Sequence, residues 1–388
     1  MKRNLLILSA VLVLFSSCGN NKEKEQKNTD SINTDTSIVE EEVVLNHFFN
    51  DISAFIAGKD LNKESHLATY TQKSEWINYA AEIDKSWEQF EKDKLSVVKP
   101  WVSTEIADIN KNTTHAFYPF SGPDFVYLYS FLPDADYYYL FGLEPAGSIP
   151  DISKIENASM NSFFGALNNA IRDNLNLSFF ITKSMKNQMN NEQIKGTIPV
   201  LLFFMSRFDL HIQSIRPAEI NNEGELIVVE TDSLEEINAS LQNIVEISFV
   251  KQGENKMRKL YYFSMNIRND GFEKTPELET YLKSLPNNMT TFVKSSSYCM
   301  HEEKYARIRD IVLTQTKYLI QDDSGVPYRF FNEKKWNCNY YGSYSSPISV
   351  FSQFYQEDYK EVFNANKKPL DFRFGYSNPS NIFVAKRK

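Results

Sequence analysis

Cysteine is scarce, with three in 388 residues at positions 18, 299 and 338. A disulfide-rich scaffold is excluded, because Cys299 and Cys338 could close one bridge at most. Positive charge is also in deficit: 42 Lys and Arg face 50 Asp and Glu, a net charge of −8. A protein that tracks nucleic acid backbone needs a basic surface, so nucleic acid is not expected as a partner. Long apolar runs are missing too. The longest, Leu5 to Phe15, would span about 16 Å as a helix, roughly half a bilayer core, which excludes a multi-span membrane protein. There is no Gly-x-x-x-x-Gly-Lys loop, His-Glu-x-x-His pair, Gly-x-Ser-x-Gly elbow or Cys-x-x-Cys pair. The five histidines, at 47, 66, 115, 211 and 301, form no ligand spacing, so neither a metal nor a cofactor is expected.

What is present is the composition of a folded chain, 42% hydrophobic and 14% aromatic, long enough for about two domains of 100 to 200 residues or one large one. The first twenty residues carry an address. Lys2 and Arg3 precede the apolar run, and Ser16-Ser17-Cys18 follow it, which is the layout of a secretory signal peptide over residues 1–17. Phe15-Ser-Ser-Cys18 resembles a bacterial lipobox, and that resemblance implies cleavage before Cys18 and lipid attachment to its thiol. Loss of Lys2 and Arg3 with the leader would leave 40 cations against 50 acids.

Residues 18–40 read as a flexible tether, since after Cys18 they hold no aromatic residue and three aliphatics, too little apolar surface to offset chain ordering. Roughly 22 flexible residues have an end-to-end distance of about 25 Å. Gly19 and the Lys22-Glu-Lys-Glu25 mixture look like outer-membrane lipoproteins of the Bacteroidetes type, and Asp30-Ser-Ile32 resembles an O-glycosylation site of such bacteria. The expectation is a chain held by lipid on Cys18 at the outer membrane, facing periplasm or cell surface.

The remainder, residues 41–388, is expected to be an α+β domain with an N-terminal helical hairpin followed by a mixed sheet with helices. Val44, Phe48, Ile52 and Phe55 make one helical stripe, ended by Gly58, and Trp76, Ala80, Ile83, Trp87 and Phe90 make a second. Residues 114–150 then read as strand, helix, strand, with Ser121 capping the helix and Tyr137–Phe141 as the second strand. The same order returns at Thr291–Pro327, with Ser296 or Ser297 at the start of a helix that runs to Leu313. The recurrence is compatible with two diverged copies of one unit. Between them, Phe163, Leu167, Ile171 and Leu175 mark a helix over 161–190, and Ile198–Met205 is a buried helix or strand. Leu226–Glu230, Val245–Val250 and Leu260–Ile267 read as strands of an antiparallel sheet. The segment 216–224 is the best candidate for a subdomain boundary, and aromatics from Phe351 to Phe363 are expected to clamp a final helix.

Two acidic turns end hydrophobic strands, Gly142-Leu-Glu144-Pro and Gln321-Asp322-Asp323-Ser-Gly. Carboxylates held on loops by a sheet can serve as acid and base in glycoside hydrolysis, though adjacent residues on a continuing strand point to opposite faces, and Asp-Ser-Gly is also simple turn chemistry. His301 lies at helical spacing from Tyr305 and Ile308, either as a satisfied core histidine or as a general base. Arg307 and Arg309 are candidates to pair with Asp322 or Asp323. Phe117-Tyr-Pro-Phe-Ser-Gly-Pro-Asp124, Leu143-Glu-Pro-Ala-Gly147, Ser297-Tyr-Cys-Met-His301 and Gln321-Asp-Asp-Ser-Gly-Val-Pro327 together resemble a family of secreted or lipid-anchored bacterial proteins over residues 45 to 376. That resemblance implies no reaction or ligand. The sequence therefore points to a membrane-anchored binding or structural module for a glycan or envelope protein. The alternative is a hydrolase using Asp322, Asp323, Glu144 and His301.

Overall fold

The computed structural model describes residues 44–177 and 194–388; Cys18, the expected leader and tether, and residues 178–190 of the expected 161–190 helix lie outside them. The folded part, from Val43 to Lys388, is one compact α+β unit. Its chain order begins with α1 (His47–Ile56), α2 (Ser74–Phe90), α3 (Ser96–Glu105), α4 (Ala107–Lys111), β1 (His115–Tyr118), α5 (Phe125–Phe131) and β2 (Tyr137–Gly142). There follow α6 (Asn157–Leu177), α7 (Ile198–Arg207), β3 (Leu210–Ile220), β4 (Leu226–Val228), α8 (Leu234–Ser240), β5 (Ile244–Lys251) and β6 (Met257–Ser264). The last part holds α9 (Asn269–Lys274), α10 (Pro276–Ser284), β7 (Met289–Val293), α11 (Ala306–Gln315), β8 (Thr316–Gln321), β9 (Trp336–Gly342), α12 (Glu357–Asn366) and β10 (Asn381–Arg387).

All ten strands join one sheet in the order β4-β3-β5-β6-β2-β1-β7-β8-β10-β9. The five central strands, β6 to β8 in that order, run parallel, and antiparallel strands extend both margins. Each of the two strand-helix-strand units supplies a neighbouring pair, β1 with β2 and β7 with β8. The units meet at β1 and β7, so the first connection crosses away from the second. Right-handed crossovers that leave in opposite directions must pass over opposite faces. The core follows this rule. Phe125, Val126 and Leu128 of α5 pack on the face that receives Ala116, Tyr138, Phe292 and Ile320. Ile308, Ile311 and Val312 of α11 pack on the other, with Phe117, Tyr139, Val293 and Leu319. The alternation along each strand is the period-2 rule applied to a sheet buried on both sides.

The N-terminal helices thicken the first face. Asn46 caps α1 by accepting from the Phe48 N–H, so the helix starts later than the stripe suggested. Val44 is 91% exposed, and the buried face is Phe49, Ile52, Phe55 and Ile56. The five residues of the α2 stripe, Trp76, Ala80, Ile83, Trp87 and Phe90, are all buried, and α2 meets α1 at its end through Trp76 Nε1 to Phe55 O and the Tyr79 hydroxyl to Ile56 O. Ile198–Met205 is helical and wholly buried. Residues 216–224 are the end of β3 and the turn into β4, inside the single sheet. Of the C-terminal aromatics, Tyr359 and Phe363 belong to the buried face of α12, whereas Phe351 and Phe354 lie in a separate 3-10 turn and Tyr355 is exposed.

Candidate crevice at the strand ends

Where two parallel neighbours send their connections to opposite sides, the loops diverge and leave a gap beyond the carboxyl ends of the strands. In this sheet that point lies between β1 and β7. A cavity of about 210 Å³ occupies it, bounded by Tyr118 to Asp124 after β1, Phe141 to Glu144 after β2, Met265 to Ile267 after β6, and Lys294 to Ser297 after β7. Phe120 and Tyr305 meet edge to face at 5.7 Å and both line it.

The floor is a buried ion pair. Asp124, not Ser121, caps α5, accepting from the Tyr127 N–H at 3.3 Å. Ser121 instead ties the loop to β2, its hydroxyl accepting from the Phe141 N–H at 2.9 Å. Asp124 Oδ2 lies 2.7 Å from Lys294 Nζ, and both side chains are shut off from solvent. The ammonium sits 3.8 Å over the Tyr127 ring, and the Tyr118 hydroxyl lies 3.2 Å from Asp124 Oδ2 and 3.0 Å from the Lys294 carbonyl. Burial pulls the Lys294 pKa below its ordinary value, against the attraction of Asp124. It pushes the Tyr118 hydroxyl well above its own. Asp124 is thereby committed to Lys294 and to the helix cap.

One wall is a strained serine loop. Ser295, Ser297 and Tyr298 have φ of 54°, 54° and 55°, a left-handed conformation that costs non-glycine residues about 1–3 kcal/mol each. Buried partners hold it. The Ser295 N–H donates to Asp322 Oδ2 at 3.0 Å, and the Ser295 carbonyl accepts from the Tyr376 hydroxyl at 2.7 Å. The Ser296 N–H donates to Ser324 Oγ at 2.8 Å, and the Tyr298 hydroxyl donates to Asp323 Oδ2. Asp322 Oδ1 accepts from the Ser324 N–H at 3.0 Å, and Asp323 Oδ1 accepts from Asn381 Nδ2 at 2.8 Å. Among the loop's serines, Ser296 Oγ donates to Ser324 O and Ser297 Oγ bonds the Tyr376 hydroxyl, while Ser295 Oγ is buried with no hydrogen-bond partner.

No family model, curated protein or solved structure matches this chain. The chemistry of the crevice therefore has to be read from its own residues. Of the four candidate acid and base groups, Glu144 lines it, and burial raises its carboxyl pKa against the backbone N–H groups of Glu144 and Leu143. Asp322 and Asp323 lie behind the serine loop, where they support it and do not line the cavity. Burial, and next the Asp323 carboxylate, push Asp322 up to about 7. Burial likewise raises Asp323. His301 also lies outside the lining, in a 3-10 turn before α11, against the rings of Tyr298 and Phe354. Burial, and then Arg329, push its imidazole down to about 4. Arg307 pairs with Glu279, and Arg309 donates to the Met300 carbonyl at 3.0 Å and pairs with Glu303, so neither serves the aspartates. Among the described residues no group of three or more His, Cys, Asp or Glu could hold a metal, and Cys299 and Cys338 are free thiols. Tyr118, Asp124, Lys294 and Ser295 were not among the candidate site residues, although Tyr118 and Asp124 stand in the Phe117–Asp124 segment; what marks them is position, at or after the ends of β1 and β7.

Proposed function

We propose that the protein is a lipid-anchored envelope protein that binds a glycan, or a glycan-bearing envelope partner, in the crevice between β1 and β7. The membrane address rests on the signal peptide and lipobox features of residues 1–18, with Cys18 as the lipid site and residues 18–40 as tether. Among the described residues no helix is long and apolar enough to cross a membrane. The observation that carries the binding reading is the crevice itself: a concave site at the topological switch point, walled by Phe120, Tyr305 and Met265 and edged by Asn266, Glu144 and serine groups. Hydrolysis has less support, because an acid and base must converge on one bond and Asp322, Asp323 and His301 do not line the crevice with Glu144. The remaining carboxylate in the cavity, Asp124, is held by Lys294.

The test uses immobilised full-length protein and the oligosaccharides released from bacterial envelopes. Wild-type protein retains a glycan fraction, and Met265→Trp, which fills the crevice, loses at least nine-tenths of it at an unchanged melting temperature. Equal retention by that variant overturns the crevice reading. In the same cells Cys18→Ala moves the protein from the membrane to the soluble or precursor fraction, and continued sedimentation with the membrane overturns the anchor.

A further inference from the structure

Among the described residues three charged side chains line the crevice, and Glu144 alone has no opposite charge beside it. Lys294 and Asp124 hold each other at 2.7 Å. What opposes the burial of the Glu144 carboxyl is a pair of backbone N–H groups, its own and that of Leu143, with no cation among them. The carboxyl sits at the cavity wall. A Cβ on Gly142 would stand 2.8 Å from Glu144 Oε2 and 3.0 Å from the Gly122 Cα, and both glycines line the crevice, so Oε2 lies beside the gap left by their missing side chains. Neither carboxyl oxygen is among the polar atoms sealed from solvent without a partner, and the residue keeps 7% of its surface open. A buried carboxylate that the protein itself supplies with no cation is placed to receive one from a ligand. Building on the binding reading above, we infer that Glu144 is the selecting contact of the crevice and that its ligand carries a primary ammonium, in the form of an amino sugar whose nitrogen is not acetylated.

Donor set, wall chemistry and size each narrow what brings the missing positive charge. Among the described residues no group of three or more His, Cys, Asp or Glu could hold a metal, and a single carboxylate falls far short of the roughly six to eight oxygens that a calcium ion takes. The cation is therefore organic. Phe120, Phe141 and Tyr305 share the lining with Glu144, and aromatic rings both attract ammonium groups and cover the C–H face of a sugar. An acetylated nitrogen carries no charge to answer Glu144, and a uronic acid would set a second carboxylate against the first. A volume of about 210 Å³ is below the roughly 300–1,000 Å³ of sites for drug-sized molecules, so the cavity takes one ring and not a chain of them.

Full-length protein in a non-glycoside detergent is titrated at neutral pH with the methyl glycosides of glucosamine, N-acetylglucosamine and glucose, which share one ring and differ at a single substituent, and binding is followed by ligand-observed NMR. The free amine should bind ten times or more tighter than either neutral sugar. Glu144→Gln keeps the size of the side chain and removes its charge, so it should weaken binding of the amine at least tenfold, abolish the preference for it and leave the melting temperature equal or higher, since no lone carboxylate is then buried. A structural role for Glu144 predicts the reverse, a lower melting temperature with the preference kept. If the preference survives in Glu144→Gln, the assignment of Glu144 fails while the ammonium class stands. The comparison among the three sugars needs no variant and decides the class even where Glu144→Gln fails to fold. Wild-type protein that binds a neutral sugar as tightly as the amine, or binds none of the three while it still retains envelope glycans, overturns the ammonium class and leaves the crevice reading in place.

Discussion

The two strand-helix-strand units lie on either side of the boundary between β1 and β7, yet they turn their chains by different means. After β1, Gly122 takes the left-handed position at φ 51°, Pro123 follows, and the Asp124 side chain caps α5 at once. Each residue suits its place, and the turn is chemically relaxed. After β7 no glycine is present. Ser295, Ser297 and Tyr298 are driven to positive φ, and α11 begins only at Ala306, without a side-chain cap. The second turn is kept in place from outside, by Asp322, Asp323, Ser324 and Tyr376. Strain that the neighbouring unit shows to be avoidable is concentrated in the serine loop that walls the crevice.

The strongest way to break the comparison is at the contact between the units. Lys294→Met leaves Asp124 buried without its cation and should cost about 3–5 kcal/mol of stability by urea denaturation, whereas the pair Asp124→Asn with Lys294→Met should recover a large part of that loss. A single change costing less than about 1 kcal/mol would show that the units do not depend on the ion pair.

Next in size is a pH effect confined to the strained turn. Asp322 is pushed up to about 7 from an ordinary value near 4, so between those pH values the unfolded chain has released a proton that the folded chain keeps. Stability from this group is therefore lost as pH rises through the window. His301 acts in the opposite sense: pushed down to about 4 from an ordinary value near 6.5, it adds stability as pH rises between them. Asp322→Asn removes the first effect and leaves the second, so its stability measured from about pH 5 to 6 should climb more steeply than that of wild type, by up to about 1.4 kcal/mol per pH unit. Parallel profiles would remove Asp322 as a proton-holding group. Smallest is Gly122→Ala in the relaxed turn, which should cost about 1 kcal/mol in the same assay. No loss there would erase the contrast between the turns.

Much of this architecture was legible in the residues. Tyr137–Phe141 is four aromatics and a leucine, Lys317–Ile320 carries Tyr, Leu and Ile in a row, and both are strands. The order strand, helix, strand was readable twice because it depends on local composition. That β1 and β7 become neighbours was not, since pairing between segments more than 170 residues apart leaves no local mark. Strands β9 and β10 were missed for separate reasons. Asn337 and Asn339 alternate with more buried residues in β9, but the aromatics around them matched helical spacing further on, and β10 is a short apolar run that periodicity cannot assign. Glu144 was singled out and lines the crevice. The turn at Asp322 and Asp323 was recognised by its residue types, whereas the direction of its carboxylates depends on a loop 27 residues earlier. Serine at positive φ has no sequence signature at all.

The position of β10 between β8 and β9 has a consequence for how the molecule can be built. A chain emerging N-terminus first presents β9 before the strand that joins it to the sheet, so β9 waits unpaired while α12 is made. The Asp323 carboxylate waits with it for Asn381 at the start of β10. Assembly of the serine loop is thus timed by the order of synthesis: the wall of the crevice takes its final support only after the sequence that follows it by some eighty residues has arrived.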